Sequence, residues 1–282
     1  MDPTISRRML RTLEPYHGMI YFVPEARDAY EGIGLTGRRM GYFASRAAAM
    51  GAVPADVVIA TFFNFHPALV RRSIPEAWTR ATPAAIVGAR FAAADAALGR
   101  LLGPAIGSAE MAEAAALARD AAEGCFPEGR PLYAAHAALP WPDAPHMMLW
   151  HAQTLLREFR GDGHIAAMVT EGITGPEALV IHAATGEIPK EALQQSRAWP
   201  DDEWAAATER VRSRGWLAAD GSLTPAGQKS RQWVEDRTDD LMLRCWERLG
   251  EDRCARLREL VRPLSRAIAA DAFDFGTSIW DD

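Results

Sequence analysis

Polar side chains are concentrated between positions 146 and 182, where four of the seven histidines of the chain lie. Within this segment, the run Arg160-Gly-Asp-Gly-His164 predicts a tight turn, because its two glycines permit backbone angles that other residues avoid. Such a turn would aim an arginine, an aspartate and a histidine into one space. His164 is then the candidate general acid or base, oriented by Asp162 or Glu158. Arg160 would hold an anionic group of the ligand.

The same residues could instead form a structural network of ion pairs that has no catalytic role. Charged side chains buried at the join of two parts of a chain must be paired, and pairs of arginine and carboxylate would lock those parts together. Both interpretations are open on the sequence, since structural networks also perturb pKa values.

An amphipathic helix is predicted over 147–159, because its apolar residues follow the spacing i, i+3, i+4 and i+7. His151, Thr154 and Glu158 share one face of this helix. His151 therefore joins the candidate ligand-binding residues, and Trp150 either lines the cavity or packs in the core.

The N-terminal part of the chain supplies aromatic side chains for an opposite wall. Tyr42 and Arg46 lie four residues apart on one predicted helix, and the run 60–66 places three phenylalanines beside Asn64 and His66. Tyr21 belongs to a further group of histidine and aromatic residues at 16–22. Aromatic walls with a few polar groups are typical of small-molecule pockets, although such residues more often form plain core.

A metal site is the weaker interpretation of the histidines. His146 and His151 are five residues apart, which suits one helical face poorly, and neither HxxxH nor HExxH occurs. Cys125, Cys245 and Cys254 are widely spaced and odd in number, which indicates a reducing cytoplasm rather than a disulfide framework. The sequence therefore predicts no metal site, and it identifies no cofactor.

The net charge of −6 over 282 residues counts against a polyanionic partner. The N-terminal residues lack the apolar region of a signal peptide, and no apolar run approaches the roughly 18 residues that span a membrane. We therefore expect a cytoplasmic chain without a membrane partner, and its oligomeric state stays open.

Positions 38–59 and 160–181 are similar to each other at a constant offset of 122, with six identities in 22 positions. The identical pairs are Arg38/Arg160, Gly41/Gly163, Ala44/Ala166, Pro54/Pro176, Val58/Val180 and Ile59/Ile181. An internal repeat predicts two modules, which can pack about a pseudo-twofold axis as the subunits of a dimer do. Five prolines between 124 and 145 mark that segment as a linker. We accordingly predict a first module at 1–123, a linker at 124–145 and a second module at 146–282.

The dipeptide Asp220-Gly221 is a strong hairpin signal between two short apolar arms. One helix is predicted before this hairpin, over 202–213, and another begins after it at Thr224. This order of elements resembles the winged helix-turn-helix of MarR-type regulators. In the first module the wing would be degenerate, at 101–107.

Three longer runs resemble an actinobacterial family of SalK-like helix-turn-helix proteins: LWHAQTLLREFRGDGHIAAM at 149–168, GYFASRAAAMG at 41–51 and ATFFNFHP at 60–67. The resemblance covers nearly the whole chain. It implies a mainly α fold of two fused winged-helix modules as an intrachain pseudo-dimer, with a small β-wing near 216–224, and it implies no reaction. This chain has His66 where the family has an asparagine.

The predicted reading helices do not favour DNA as a partner. The helix of the second module that would enter the major groove begins Asp201-Asp202-Glu203, which would repel phosphates, and its arginines come only near its end. The equivalent segment of the first module, 82–99, is apolar on nearly every face and is predicted to be buried.

The favoured prediction is a small-molecule-binding protein. It would use acid/base enzyme chemistry in a pocket between the two modules and serve specialised metabolism. The alternative is a MarR-type, ligand-responsive, DNA-binding transcriptional regulator, and a third possibility is a catalytically silent protein–protein module. The sequence does not separate binding from turnover, and it does not identify a substrate.

Overall fold

The chain folds almost entirely into helices. The computed structural model describes residues 1–272, which form fifteen α-helices joined by loops and short 3-10 turns. The helices are α1 (Ile5–Gly18), α2 (Pro24–Gly32), α3 (Gly37–Ala47), α4 (Ala55–Phe62), α5 (Pro67–Arg71), α6 (Glu76–Arg80), α7 (Pro83–Leu102), α8 (Ala109–Ala122), α9 (Pro131–Ala137), α10 (Pro145–Thr170), α11 (Gly175–Ala183), α12 (Lys190–Arg197), α13 (Asp201–Ser213), α14 (Pro225–Leu249) and α15 (Glu251–Ala272). The predicted mainly α class is confirmed. The last part of the predicted second module, 273–282, lies outside the described residues.

Several helices begin where capping residues predict a start. The hydroxyl of Thr82 accepts a hydrogen bond from the backbone N–H three residues further on, at 3.2 Å, and Thr224 caps α14 in the same way at 3.1 Å. A proline follows each of these two caps at the first helical position, where its missing N–H costs nothing. Ser108 likewise caps α8.

The predicted wing is reduced to a single bridge. Leu217 and Leu223 form an isolated antiparallel bridge, and Gly221 takes the positive φ of +87° that the turn requires. No strand forms anywhere in residues 1–272, so the β-wing near 216–224 is not present as a strand pair. Two short arms without a third strand are marginal as a sheet, which accounts for the difference.

Two apolar cores hold the helices together. The larger core takes side chains from α1, α3, α7, α8, the first half of α10 and the last helices, and α1 packs against α15. The smaller core consists of α11, α12 and α13 with parts of α10 and α14. The larger core thus draws on both sides of the predicted linker, and that linker itself contains α9, which packs on α10. The module boundaries at 123 and 146 stay a prediction.

Each of the two repeats spans a helix, a turn and a second helix. Positions 38–59 cover α3 and the start of α4, while 160–181 cover the end of α10 and most of α11. The matched glycines are both sites of close packing. A Cβ on Gly41 would lie 2.8 Å from Cδ2 of Tyr30, and a Cβ on Gly163 would overlap Nη1 of Arg130.

In the described part of the chain, no single helix has both the length and the apolar composition to cross a membrane. One pair, 37–50 with 55–62, meets that requirement together but is bent by 96°.

Candidate functional site

The run at 160–164 is helical, so the predicted tight turn is wrong. α10 continues through it without a break. Gly163 is explained by packing, since the guanidinium of Arg130 fills the place that a side chain would take. Because helical residues two positions apart point to different sides, Asp162 and His164 face different partners.

Asp162 caps the N-terminus of α9. Its Oδ2 accepts hydrogen bonds from the backbone N–H groups of Leu132 and Tyr133, each at 3.0 Å. Burial raises the pKa of Asp162 to about 6, against the opposing effect of these donors. The carboxylate therefore ties α9 to α10 and does not orient His164.

His164 lines a small cavity of about 250 Å³ together with Asn64, His182 and Glu235. Its Nδ1 lies 2.9 Å from Oγ1 of Thr238, whose own hydrogen is donated to a backbone carbonyl 2.6 Å away. Nδ1 must then be the donor to Thr238, which leaves Nε2 of the neutral ring with a free lone pair. Burial lowers the pKa of His164, and Glu235 opposes that effect only in part. The structure thus brings His164 and Asn64 together, as the sequence predicted, but without Asp162 or Glu158.

Glu158 belongs to a buried ion-pair network. Nη2 of Arg46 lies 2.9 and 3.1 Å from its two carboxylate oxygens, and Nη1 of Arg157 lies 3.2 Å from one of them. Arg46 also donates to the hydroxyl of Tyr42 at 2.8 Å, and Arg157 binds Glu14 at 2.8 Å. Burial alone would raise the pKa of Glu158, but the two guanidinium groups outweigh it and lower the pKa to about 2. This is the network of arginine and carboxylate that the sequence left as an alternative, and it joins α1, α3 and α10.

Arg160 and His66 hold structural positions as well. Nη2 of Arg160 lies 3.3 Å from Glu235 and 3.6 Å from Asp239, so its charge is already compensated. Nε2 of His66 lies 3.1 Å from Glu203 at the start of α13, and Nδ1 accepts a backbone N–H at the start of α5. His66 therefore connects the α4–α5 turn to α13.

His151 and Trp150 are fully buried and pack in the larger core. The ring of His151 lies 5.6 Å from that of Phe91 and 4.9 Å from that of Trp141. Neither ring nitrogen of His151 has a hydrogen-bond partner within the described residues. Burial lowers the pKa of His151 to about 4, which keeps the ring neutral. Trp150 stacks on His17 at 5.8 Å.

A second cavity, of about 570 Å³, opens between helices α1, α2 and α3. We call it the tyrosine–arginine cavity, because Tyr21, Tyr30 and Tyr42 line it together with Arg157 of α10 and Arg197 of α12. The rings of Tyr21 and Tyr42 lie 5.2 Å apart. Of the aromatic residues that the sequence placed on one wall, Tyr21, Tyr42 and Phe65 line this cavity, whereas Phe62 and Phe63 do not.

Several residues of this cavity were missed by sequence reasoning, Tyr30 and Arg197 among them. Tyr30 and Arg197 lie on α2 and α12, which are far apart along the chain, and no local spacing relates them. Arg157 was noted in the polar cluster but was not placed in a site. The only sequence signal for Tyr30 is indirect: Gly41 of the repeat is the glycine against which its ring packs.

The arginines near the end of α13 are engaged by the protein itself. Arg210 binds Glu177 at 2.7 Å, Arg212 pairs with Glu209, and Arg214 donates to two backbone carbonyls after α10. The three acidic residues of the first turn are exposed. The predicted acidic start of this helix is therefore present.

The equivalent helix of the first half, α7, is not buried on nearly every face. Six of its 20 residues are buried. Its outer face carries small side chains, mostly alanine, and is exposed. The apolar composition of 82–99 thus reflects alanine, which is compatible with both a core and a surface position.

The mainly helical fold, with α11, α12 and α13 followed by the Leu217–Leu223 bridge and α14, is consistent with the helix-turn-helix class of proteins. The chain belongs to a helix-turn-helix family, whose model matches residues 6–274. Searches of curated proteins and of solved structures found no match. The family match confirms the helix-turn-helix part of the resemblance seen in the sequence.

Proposed function

We propose that the protein binds a small molecule in the tyrosine–arginine cavity. The observation that carries this proposal is the cavity itself, whose size lies within the usual range of about 300–1,000 Å³ for ligand pockets. Its walls combine aromatic rings with charged side chains, most of them arginines. Residues from α1 to α3 form most of the lining, and Arg157 of α10 and Arg197 of α12 complete it.

Binding is favoured over acid/base catalysis. The three predicted catalytic groups have separate partners: Glu158 two arginines, Asp162 the start of α9, and His164 a threonine. His164 keeps a free ring nitrogen in its own cavity, but no carboxylate contacts the ring within hydrogen-bond distance in the described residues. An enzyme that works through His164 would therefore act without the predicted orienting carboxylate.

Saturation-transfer NMR with a library of small aromatic compounds tests the proposal. Compounds that bind should lose affinity in Tyr42→Leu, because this ring forms part of the cavity wall. The matched control is Trp233→Leu, which removes an aromatic ring from α14 outside the cavity. Binding that is equally strong in the Tyr42 variant would place the ligand elsewhere and overturn the proposal.

The second candidate is a ligand-responsive DNA-binding regulator, and the family match favours it. The acidic first turn of α13 and the internal engagement of its arginines weigh against it, since affinity for DNA rests largely on phosphate contacts. Gel retardation of the promoter of its own gene at low salt is the direct test. A shift that weakens steeply with salt would establish the regulator, and no shift at low salt would remove it.

We further propose that the repeats are two copies of one module, arranged as a pseudo-dimer in a single chain. The matched helix–turn–helix outlines and the two glycines at packing contacts support this arrangement. A role in specialised metabolism belongs to the same proposal and rests on the resemblance alone.

A further inference from the structure

The tyrosine–arginine cavity is strongly basic in an acidic protein. Its lining holds five arginines and only two glutamates, whereas the whole chain carries a net charge of −6. The lining residues with charge are Arg27, Arg38, Arg39, Arg157, Arg197, Glu14 and Glu31. The local sign of charge is thus opposite to that of the molecule.

Some of this positive charge is already compensated. Arg157 is bound by Glu14 and Glu158, and Arg27 binds its neighbour Asp28. Among the described residues, no carboxylate oxygen lies within 4.0 Å of the guanidinium nitrogens of Arg197. The excess charge of the cavity is therefore concentrated at Arg197 and at its rim.

Arg197 is held in place, but by weak partners. Its Nη1 donates to Oγ of Ser196 at 2.9 Å, and its guanidinium lies 4.8 Å from the centre of the Phe65 ring. Its Nε is buried and has no hydrogen-bond partner in the described part of the chain. A guanidinium group withdrawn from water without a paired anion is unfavourable. Arg197 is half-buried and faces the cavity, so an anion bound there would supply the charged partner that the described residues do not.

A second buried arginine adds to the field from behind the cavity wall. Arg90 is 1% exposed and has no carboxylate within 4.0 Å in residues 1–272. Its partners are neutral: a ring nitrogen of His17 at 3.2 Å, and the hydroxyls of Ser45 and Tyr21 at 3.5 Å. Ser45 and Tyr21 also line the cavity, so Arg90 lies directly behind them.

We infer that the ligand of the tyrosine–arginine cavity is an organic anion, with a carboxylate or phosphate group that binds Arg197 and an apolar body that packs on the tyrosines. This inference rests on the proposed function. It is distinct from the sequence-based prediction, which assigned the anion to Arg160.

Three probes that share a naphthalene ring test the inference: 2-naphthoate, 2-naphthyl phosphate and the neutral 2-naphthamide. Affinities are measured by isothermal titration calorimetry on the full chain. At least one anion should bind about tenfold or more tightly than the amide, because hydrogen bonds to charged groups contribute on this scale. The two anions differ in shape and charge, and the anion that binds more tightly identifies the head group of the ligand.

The variant Arg197→Gln should lose that preference and leave the affinity of 2-naphthamide unchanged. It should also keep its fold, since the arginine has no carboxylate partner to lose, and a thermal melt verifies this. Arg212→Gln, on the exposed side of α13, is the matched control and should bind all three probes like the natural chain.

The outcomes separate the two proposals. If the amide and the anions bind equally and Tyr42→Leu weakens them all, the cavity binds small molecules but the inference about charge is wrong. If an anion binds preferentially and Arg197→Gln has no effect, Arg197 is not its partner and the inference is also wrong. If none of the probes binds at millimolar concentration, the proposed function fails together with the inference about charge.

Discussion

Replacing Glu158 with glutamine should destabilise the protein by about 3 kcal/mol at neutral pH. The carboxylate is 3% exposed and binds Arg46 and Arg157, so the substitution leaves two largely buried guanidinium groups without their shared anion. Removing one partner of a buried ion pair costs about 3–5 kcal/mol.

The pKa of Glu158 leads to the same magnitude of destabilisation. It falls from the ordinary value of 4.5 to about 2 in the folded protein. One pKa unit corresponds to about 1.4 kcal/mol, so the folded environment favours the ionised carboxylate by about 3 kcal/mol. Since the folded pKa is the lower one, this stabilisation is complete above pH 4.5 and is lost as the pH falls toward 2.

Urea unfolding followed by circular dichroism measures the free energy of unfolding of each variant. Glu76→Gln is the control, because Glu76 forms an exposed pair with Arg80 and should change the free energy of unfolding by about 0.5 kcal/mol or less. Glu158→Gln should also show a smaller loss of stability between pH 4.5 and 2. A destabilisation of Glu158→Gln below about 1 kcal/mol at pH 7 would refute the reasoning.

Two further predictions concern packing and redox chemistry. Gly163→Ala should lower the free energy of unfolding by more than about 1 kcal/mol, because its Cβ overlaps a guanidinium group. Gly161→Ala should raise the free energy of unfolding by roughly 0.5–1 kcal/mol, because its Cβ would meet only a carboxylate oxygen at 3.8 Å. Thermal melts in which Gly163→Ala is more stable than Gly161→Ala would contradict this prediction. The sulfurs of Cys125 and Cys245 lie 2.9 Å apart, so the oxidant diamide should accept two electrons and two protons from them and leave a disulfide. Titration of thiols in denaturant should then fall from three per chain to one, and from two to none in Cys254→Ser; an unchanged count would show that the pair does not react.

Periodicity and capping were enough to predict much of the secondary structure. Thr82, Ser108 and Thr224 each cap a helix. A side-chain hydroxyl directly before a helix-forming run accepts a hydrogen bond from a backbone N–H of the first turn, and this interaction is local. The apolar spacing over 147–159 predicted part of α10 for the same reason. These features depend on residues within a few positions of each other.

The site depended on contacts that no local pattern contains. The glycine at 163 was assigned to a turn, but Arg130, from a distant part of the chain, packs where its side chain would be. Because α10 continues as a helix through this glycine, Asp162 contacts α9 and His164 contacts α14. Arg197 reaches the tyrosines from α12 only through tertiary packing. Sequence spacing assigned the anion to Arg160, whereas tertiary packing is the basis on which we propose Arg197.

The packing of α1 on α15 has a consequence for the synthesis of the protein. Helix α1 is synthesised well before its three main packing partners, α10, α14 and α15, and the last of these begins only at Glu251. The hydrogen bond of 2.7 Å from the hydroxyl of Ser265 to the backbone carbonyl of Thr12 can form only after α15 has been synthesised. The core around α1 is therefore complete only after α15 has been synthesised, so this part of the fold is expected to form late.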